Sequence, residues 1–111
     1  MITNKKLFSH EIKDGVLEIK LSGEIDHHSA VLIRKSIDRA VNQKKPRLLI
    51  LDFADVTFMD SSGIGLVMGR YKLVKSYGGE IRVENLNAGA SKIMRLAGIE
   101  RLGEIRQKET V

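Results

Sequence analysis

Two short segments of this chain hold the residue types that chemistry needs. Asp60-Ser61-Ser62-Gly63-Ile64-Gly65 sets a carboxylate beside two hydroxyls and then glycines, and Gly23-Glu24-Ile25-Asp26-His27-His28 sets two carboxylates beside two imidazoles. Serine, histidine and aspartate within reach of one another would make a nucleophilic triad. The surrounding pattern does not support one. A hydrolase elbow needs glycine two residues before its serine, whereas Met59 holds that place for Ser61 and Asp60 holds it for Ser62. Adjacent histidines on a helix point apart, so His27, His28 and a carboxylate do not converge on a metal. Gly63 to Gly69 reads G-x-G-x-x-x-G, one residue too long for the dinucleotide fingerprint, and no glycine-lysine pair follows as a P-loop requires. No catalytic residue, metal ligand or cofactor site is assigned. A small hydrolase using Ser61 ranks third among the readings.

The elements must bring these segments to one place. Phe8–Ile12 and Val16–Gly23 read as strands, the second alternating Leu17, Ile19 and Leu21 with Glu18, Lys20 and Ser22. Asp14-Gly15 between them is a hairpin signal, because both residues tolerate positive φ. From Ser29 to Asn42 the period changes: Ala30, Ile33, Ile37, Ala40 and Val41 form one face of an amphipathic helix, with Arg34, Lys35, Asp38 and Arg39 on the other. Asp26 stands ahead of it as a capping candidate, and Pro46 bars its continuation. Leu48–Phe53 is a nearly unbroken apolar run, as in a strand buried on both faces, and a loop is expected from Ala54 to Met59. Ile64, Val67, Met68, Tyr71 and Val74 then repeat at helical spacing up to Tyr77, where Gly78-Gly79 supplies a left-handed stop. Glu80–Glu84 alternates as a strand, Ser91–Leu96 reads as a short helix, and Ile105 belongs to a last edge strand. Residues 1–5 and 107–111 read as frayed ends.

The predicted order, β-β-α-β-α-β-α and a final β, defines an α/β fold in a single small domain. Its mixed sheet is opened by an antiparallel hairpin, with helices packed against it. In such a sheet, functional groups gather where strands end and helices begin. Both polar segments fall there. One account of Asp60-Ser61-Ser62 is a helix cap, which contributes about 1 kcal/mol. Yet three capping candidates stand where one suffices, and Gly65 and Gly69 each cost up to ~1 kcal/mol relative to alanine in a helix. That loss implies close approach, either by another element of the fold or by a partner.

Composition narrows the classes. The chain has 111 residues with 19 basic and 14 acidic side chains, a formal charge of +5, enough length for one self-sufficient core. It has no cysteine, which removes disulfides, thiolate metal sites and cysteine nucleophiles together. No apolar run approaches the ~20 residues of a membrane span, and Met1–Lys6 lacks a signal-peptide core, so a soluble cytoplasmic protein is expected. A pI near 9.6 makes a nucleic-acid-binding module the main rival reading. Against it, Lys5-Lys6, Arg34-Lys35, Lys44-Lys45 and Lys72 with Lys75 are scattered, and aromatic residues for base stacking make up only 5%.

Gly23–His28, Phe58–Gly65, Gly69-Arg70-Tyr71-Lys72 and Gly78-Gly79-Glu80, taken jointly and in order over nearly the whole chain, resemble the STAS-domain anti-sigma factor antagonists, above all those of the sporulation sigma-F system. The resemblance implies a small α/β domain that is not an enzyme and carries no cofactor. It implies that the unmodified form binds an anti-sigma factor that is also a serine kinase, releasing the sigma factor. The kinase uses ATP to phosphorylate the serine directly after the aspartate of D-S-S-G, here Ser61, and a manganese-dependent PP2C-type phosphatase resets it. Composition and spacing leave Ser61 and Ser62 equivalent; the choice of Ser61 comes from the resemblance. Asp26 matches the family aspartate near that serine, and with Asp60, Ser62 and Gly63 completes the expected partner-binding set. The resembled proteins carry one more helix after the last strand, where this sequence has a polar stretch ending at Val111. A monomer when free, without direct nucleic-acid or membrane contact, is expected.

A phosphoryl group on Ser61 would add about −1.5 to −2 charges at a helix N-terminus. The helix dipole favours that by about 0.3–1 kcal/mol, while Asp60 and Asp26 oppose it. An interface that loses a hydrogen bond to a charged group loses about 1.5–3 kcal/mol, and repulsion adds to that. The sum corresponds to roughly a 10- to 1000-fold change in affinity without refolding.

Overall fold

Asp14 (φ 54°) and Gly15 (φ 79°) both take left-handed conformations and turn β1 (Phe8–Lys13) back along β2 (Val16–Ile25) as an antiparallel pair. The computed structural model describes residues 8–109; the fraying expected at 1–5 and at 110–111 lies outside the described residues. After the hairpin come helix α1 (His27–Lys44), strand β3 (Leu48–Met59), helix α2 (Ser62–Lys75), strand β4 (Glu80–Leu86), helix α3 (Ala88–Leu96), a 3-10 turn (Ile99–Arg101) and strand β5 (Glu104–Gln107). The sheet order is β1-β2-β3-β4-β5, with β2 to β5 parallel. Each parallel strand is followed by its immediate neighbour, so right-handed crossovers place all three helices on one face. The mixed α/β sheet opened by a hairpin is therefore the observed fold.

The core lies between that face and the helices. Leu17, Ile19 and Leu21 of β2 and Leu49, Leu51 and Phe53 of β3 are buried with Ile33, Ile37 and Val41 of α1 and Leu66, Val67 and Val74 of α2. Burying one such side chain stabilises by about 1.5–3 kcal/mol. The other face is open, yet Ile50 and Asp52 on it are also buried. Ile50 lies in register between Glu18 and Arg82, whose long stems flank it. Asp52 accepts hydrogen bonds from the Ala54 N–H at 2.9 Å and from Asn85 Nδ2 at 2.8 Å. The run over Leu48–Phe53 is thus buried on both sides with helices on only one.

Several boundaries differ from the sequence expectation. Residues 54–59 are strand, not loop, because β2 also continues past Gly23. Ser22 and Gly23 pair with Asp55 and Val56 after one register shift, Glu24 and Ile25 pair with Phe58 and Met59 after a second, and Gly23 takes φ 84° between the two shifts. α1 starts at His27 rather than Ser29, and α3 starts at Ala88 rather than Ser91, because Asn87 Oδ1 caps it through the Ala90 N–H at 2.8 Å. The fraying expected from residue 107 does not begin there: Gln107 pairs with Leu86, and the Lys108 N–H donates to Leu86 O at 2.7 Å.

Candidate functional site

The extension of β2 and β3 beyond their expected ends builds the site. Ile25 and Met59 are register partners, and the Asp60 N–H donates to Ile25 O at 3.1 Å, so the two strand ends are laced together. One residue beyond each strand stands an aspartate, and beyond each aspartate a helix begins. The two polar segments singled out in the sequence meet at this end of the sheet, past the carboxyl ends of two interior strands.

Asp26 caps α1. Its Oδ1 accepts from the His28 N–H at 3.0 Å and the Ser29 N–H at 2.9 Å, while Ser29 Oγ accepts from the Asp26 N–H at 3.0 Å and donates to Glu24 O at 2.7 Å. This reciprocal capping box holds the Asp26 carboxyl below its ordinary range; the Ser29 N–H bond is the main cause, with desolvation opposing. Both cap bonds use Oδ1. Among the described residues no donor is assigned to Oδ2, which leaves it available to a partner.

At the head of α2 the division of labour is different. Asp60, not a serine, supplies the side-chain cap: its Oδ1 accepts from the Ser62 N–H at 2.7 Å. Ser61 occupies the cap position but with helical backbone angles (φ −63°, ψ −14°) and no side-chain cap bond. Its residue is exposed and its hydroxyl has no hydrogen-bond partner among the described residues. Ser62 is half-buried. Gly63, expected in the partner-binding set, is buried, and a Cβ there would collide with Met59 Sδ and Cγ, so its lack of a side chain lets α2 seat on the end of β3.

The arrangement presents a hydroxyl but does not activate one. A nucleophilic serine needs a base within hydrogen-bond reach, and nothing among the described residues is bonded to Ser61 Oγ. His27 and His28 pack edge to face with ring centroids 5.8 Å apart at the start of α1. The glycines resolve one expectation as well. Among the described residues nothing lies within 4 Å of where a Cβ at Gly65 or Gly69 would stand, so no packing within the described fold requires glycine at either place.

One feature escaped the sequence reading. Arg70 is buried, its Nε lies 2.8 Å from Asp38 Oδ1 across the α1–α2 contact, and its Nη1 donates to Leu66 O at 3.2 Å. The Nε–Oδ1 approach is bent, an ion pair without a well-aligned hydrogen bond. Burial pulls the Arg70 guanidinium below its ordinary value, and Asp38 opposes that. The signal was present: Arg70 falls three residues after Val67 and four before Val74, on the apolar stripe of α2.

Residues 8–110 match the STAS domain family. The anti-sigma F factor antagonist of Paenibacillus polymyxa is 36% identical over 95 residues, covering 86% of this chain and 81% of that protein. The anti-sigma-B factor antagonist of Bacillus subtilis (strain 168) is 30% identical over 92 residues, 83% of each chain. Among solved structures, the anti-sigma factor antagonist SpoIIAA in its unphosphorylated form is similar with a TM-score of 0.77 at 31% identity, over 88% of this chain and 86% of that one. The phosphorylated form of SpoIIAA gives a TM-score of 0.70 at 31% identity, over 88% and 89%. The chain belongs to the STAS-domain family of anti-sigma factor antagonists. These are regulatory proteins rather than enzymes, and the hydrolase reading falls away.

Proposed function

We propose that this antagonist is a phosphorylation switch. Unphosphorylated, it binds an anti-sigma factor that is also a serine kinase, across the end of the sheet carrying Asp26, Asp60, Ser61 and Ser62, and so frees the sigma factor. The bound kinase then moves the γ-phosphoryl group of ATP to Ser61 Oγ; ADP leaves, and the hydroxyl proton passes to a base of the kinase. The phosphorylated form releases its partner, and a PP2C-type phosphatase hydrolyses the ester to restore Ser61. The free protein acts as a monomer in the cytoplasm. Among the described residues no helix is long and apolar enough to cross a membrane.

One observation carries the choice of serine. Ser61 is the exposed hydroxyl at the head of α2, and Asp60 relieves it of any capping duty, whereas Ser62 is half-buried. A kinase can take the Ser61 side chain into its own active site without uncapping α2. The test is to incubate the protein with the host's anti-sigma kinase and ATP and locate the phosphate by mass spectrometry. Phosphate on Ser61 is expected, and the Ser61→Ala variant binds the kinase but accepts none. Phosphate on Ser62 in the wild type would sink the assignment.

A further inference from the structure

Between α1 and α2, directly behind Ser62, runs a groove of about 280 Å3. Ala30 and Val31 of α1 and Gly65 and Leu66 of α2 give it an apolar floor, and Arg34 stands on the α1 side. Two features of this groove ask for an occupant. Gly65 is exposed within a helix, where glycine costs about 1 kcal/mol relative to alanine, and a side chain there would meet nothing within 4 Å. The fold does not need that glycine. Arg34 is the second feature. Its natural acidic neighbour on the same helix is Asp38, four residues on, and Asp38 is already engaged with Arg70 at 2.8 Å. Among the described residues no ion pair includes Arg34.

We propose that this groove seats a segment of the anti-sigma factor, with an apolar side chain on the Gly65 floor and an acidic residue paired to Arg34. The proposal rests on the reading that the anti-sigma factor docks at Ser61, and it adds the direction in which the contact runs. From Ser61 it continues along the α1–α2 pair, not over the open face of the sheet. Charge decides between the two. On the open face, Arg82 and Arg106 are paired with Glu84 and Glu104 and Lys108 shares a cleft with Glu84 and Glu109, whereas Arg34 stands beside an apolar floor that no acidic residue lines. A phosphate on Ser61 would stand at the mouth of the groove and repel the same acidic segment. The seat and the switch would then act on one stretch of the partner.

Calorimetric titration of full-length variants with the host's purified anti-sigma factor tests this. Arg34→Glu should weaken binding by about thirtyfold or more and Arg34→Gln by about fivefold. Lys35→Glu, an equal change of net charge one residue away, should stay within about threefold. Gly65→Leu fills the groove and should weaken binding by more than about tenfold while its melting temperature does not fall. Arg34 is exposed, so its variants keep the fold, and melts run alongside check this. Equal losses for Arg34→Glu and Lys35→Glu would reveal only long-range charge and overturn the seat, as would full affinity in Gly65→Leu. A wild-type dimer that Arg34→Glu dissociates would assign the groove to a second copy and overturn it too. A wild type that does not bind the anti-sigma factor overturns the parent reading with it; normal binding by both groove variants overturns the groove alone.

Discussion

Asp26 and Asp60 hold equivalent posts, one residue past the ends of paired strands, and each satisfies backbone donors of the helix that follows. What distinguishes a cap from a partner contact at such a residue is charge, because asparagine caps about as well as aspartate. Asp26→Asn should therefore leave the melting temperature close to wild type while lowering affinity for the anti-sigma kinase by about tenfold. Unchanged affinity with an unchanged melt would reduce Asp26 to a cap. That Asp26 caps α1 was legible from its place before an amphipathic run. Which of Asp60, Ser61 and Ser62 caps α2 was not: all three are good capping residues, and only the backbone path decides. Ser61 already has helical angles, so the cap bond reaches past it from Asp60 to the Ser62 N–H.

Between elements, the decisive contacts are close approaches that propensity does not encode. Gly63 lies where α2 crosses the end of β3, with Met59 against its Cα. Gly63→Ala should cost about 1–3 kcal/mol by overpacking, seen as a lower melting temperature, with a loss of binding that follows from the displaced Ser61. A melt equal to wild type would show that the Met59 side chain simply swings away. At the far edge, β5 is tied to β4 by Arg82 and Arg106, each of which pairs with both Glu84 and Glu104. The Glu104 carboxyl is held below its ordinary value, first by its hydrogen bond from Arg106. Its contribution is therefore complete above the unfolded value of about 4.3 and disappears as pH falls through the lower folded value. Amide exchange at Ile105 and Arg106 should speed up at acid pH before that of the β2–β3 pair. Simultaneous loss in both regions would refute a local tie. The sequence marked β5 only by Ile105, and the continuation of β3 through 54–59 not at all. Both depend on pairing with distant strands, in the second case across two register shifts, and no local periodicity records that.

For the molecule as a whole, the question is whether a charge at Ser61 acts on the fold or on the surface. Aspartate suits a helix N-terminus, and the dipole favours its charge there. Ser61→Asp should thus change stability by no more than about 1 kcal/mol, while affinity for the kinase falls between about tenfold and a thousandfold. The lower end is expected, because aspartate has one negative charge against about −1.5 to −2 for phosphoserine. Thermal melts and titrations on the same samples decide it. Tight binding by a folded Ser61→Asp would mean that charge at this position is not the switch. The α/β architecture, the hairpin and the grouping of both polar segments at one sheet end were readable from pattern and spacing. The Arg70–Asp38 link between the two helices was only half legible: Arg70 falls on the apolar stripe of α2, but the apolar periodicity placed Asp38 on the solvent side of α1.

Because the side-chain cap of α2 comes from Asp60, and the helix dipole and the neighbouring aspartates act on a charge at Ser61 in opposite senses, the proposed phosphate would change the folded-to-unfolded equilibrium little. Proteases and chaperones that sample the open form would meet the marked and unmarked molecules at the same frequency. Both pools would then share one lifetime in the cell. The signal would be carried by the fraction of molecules that bear the mark, and it could be erased and rewritten without new synthesis.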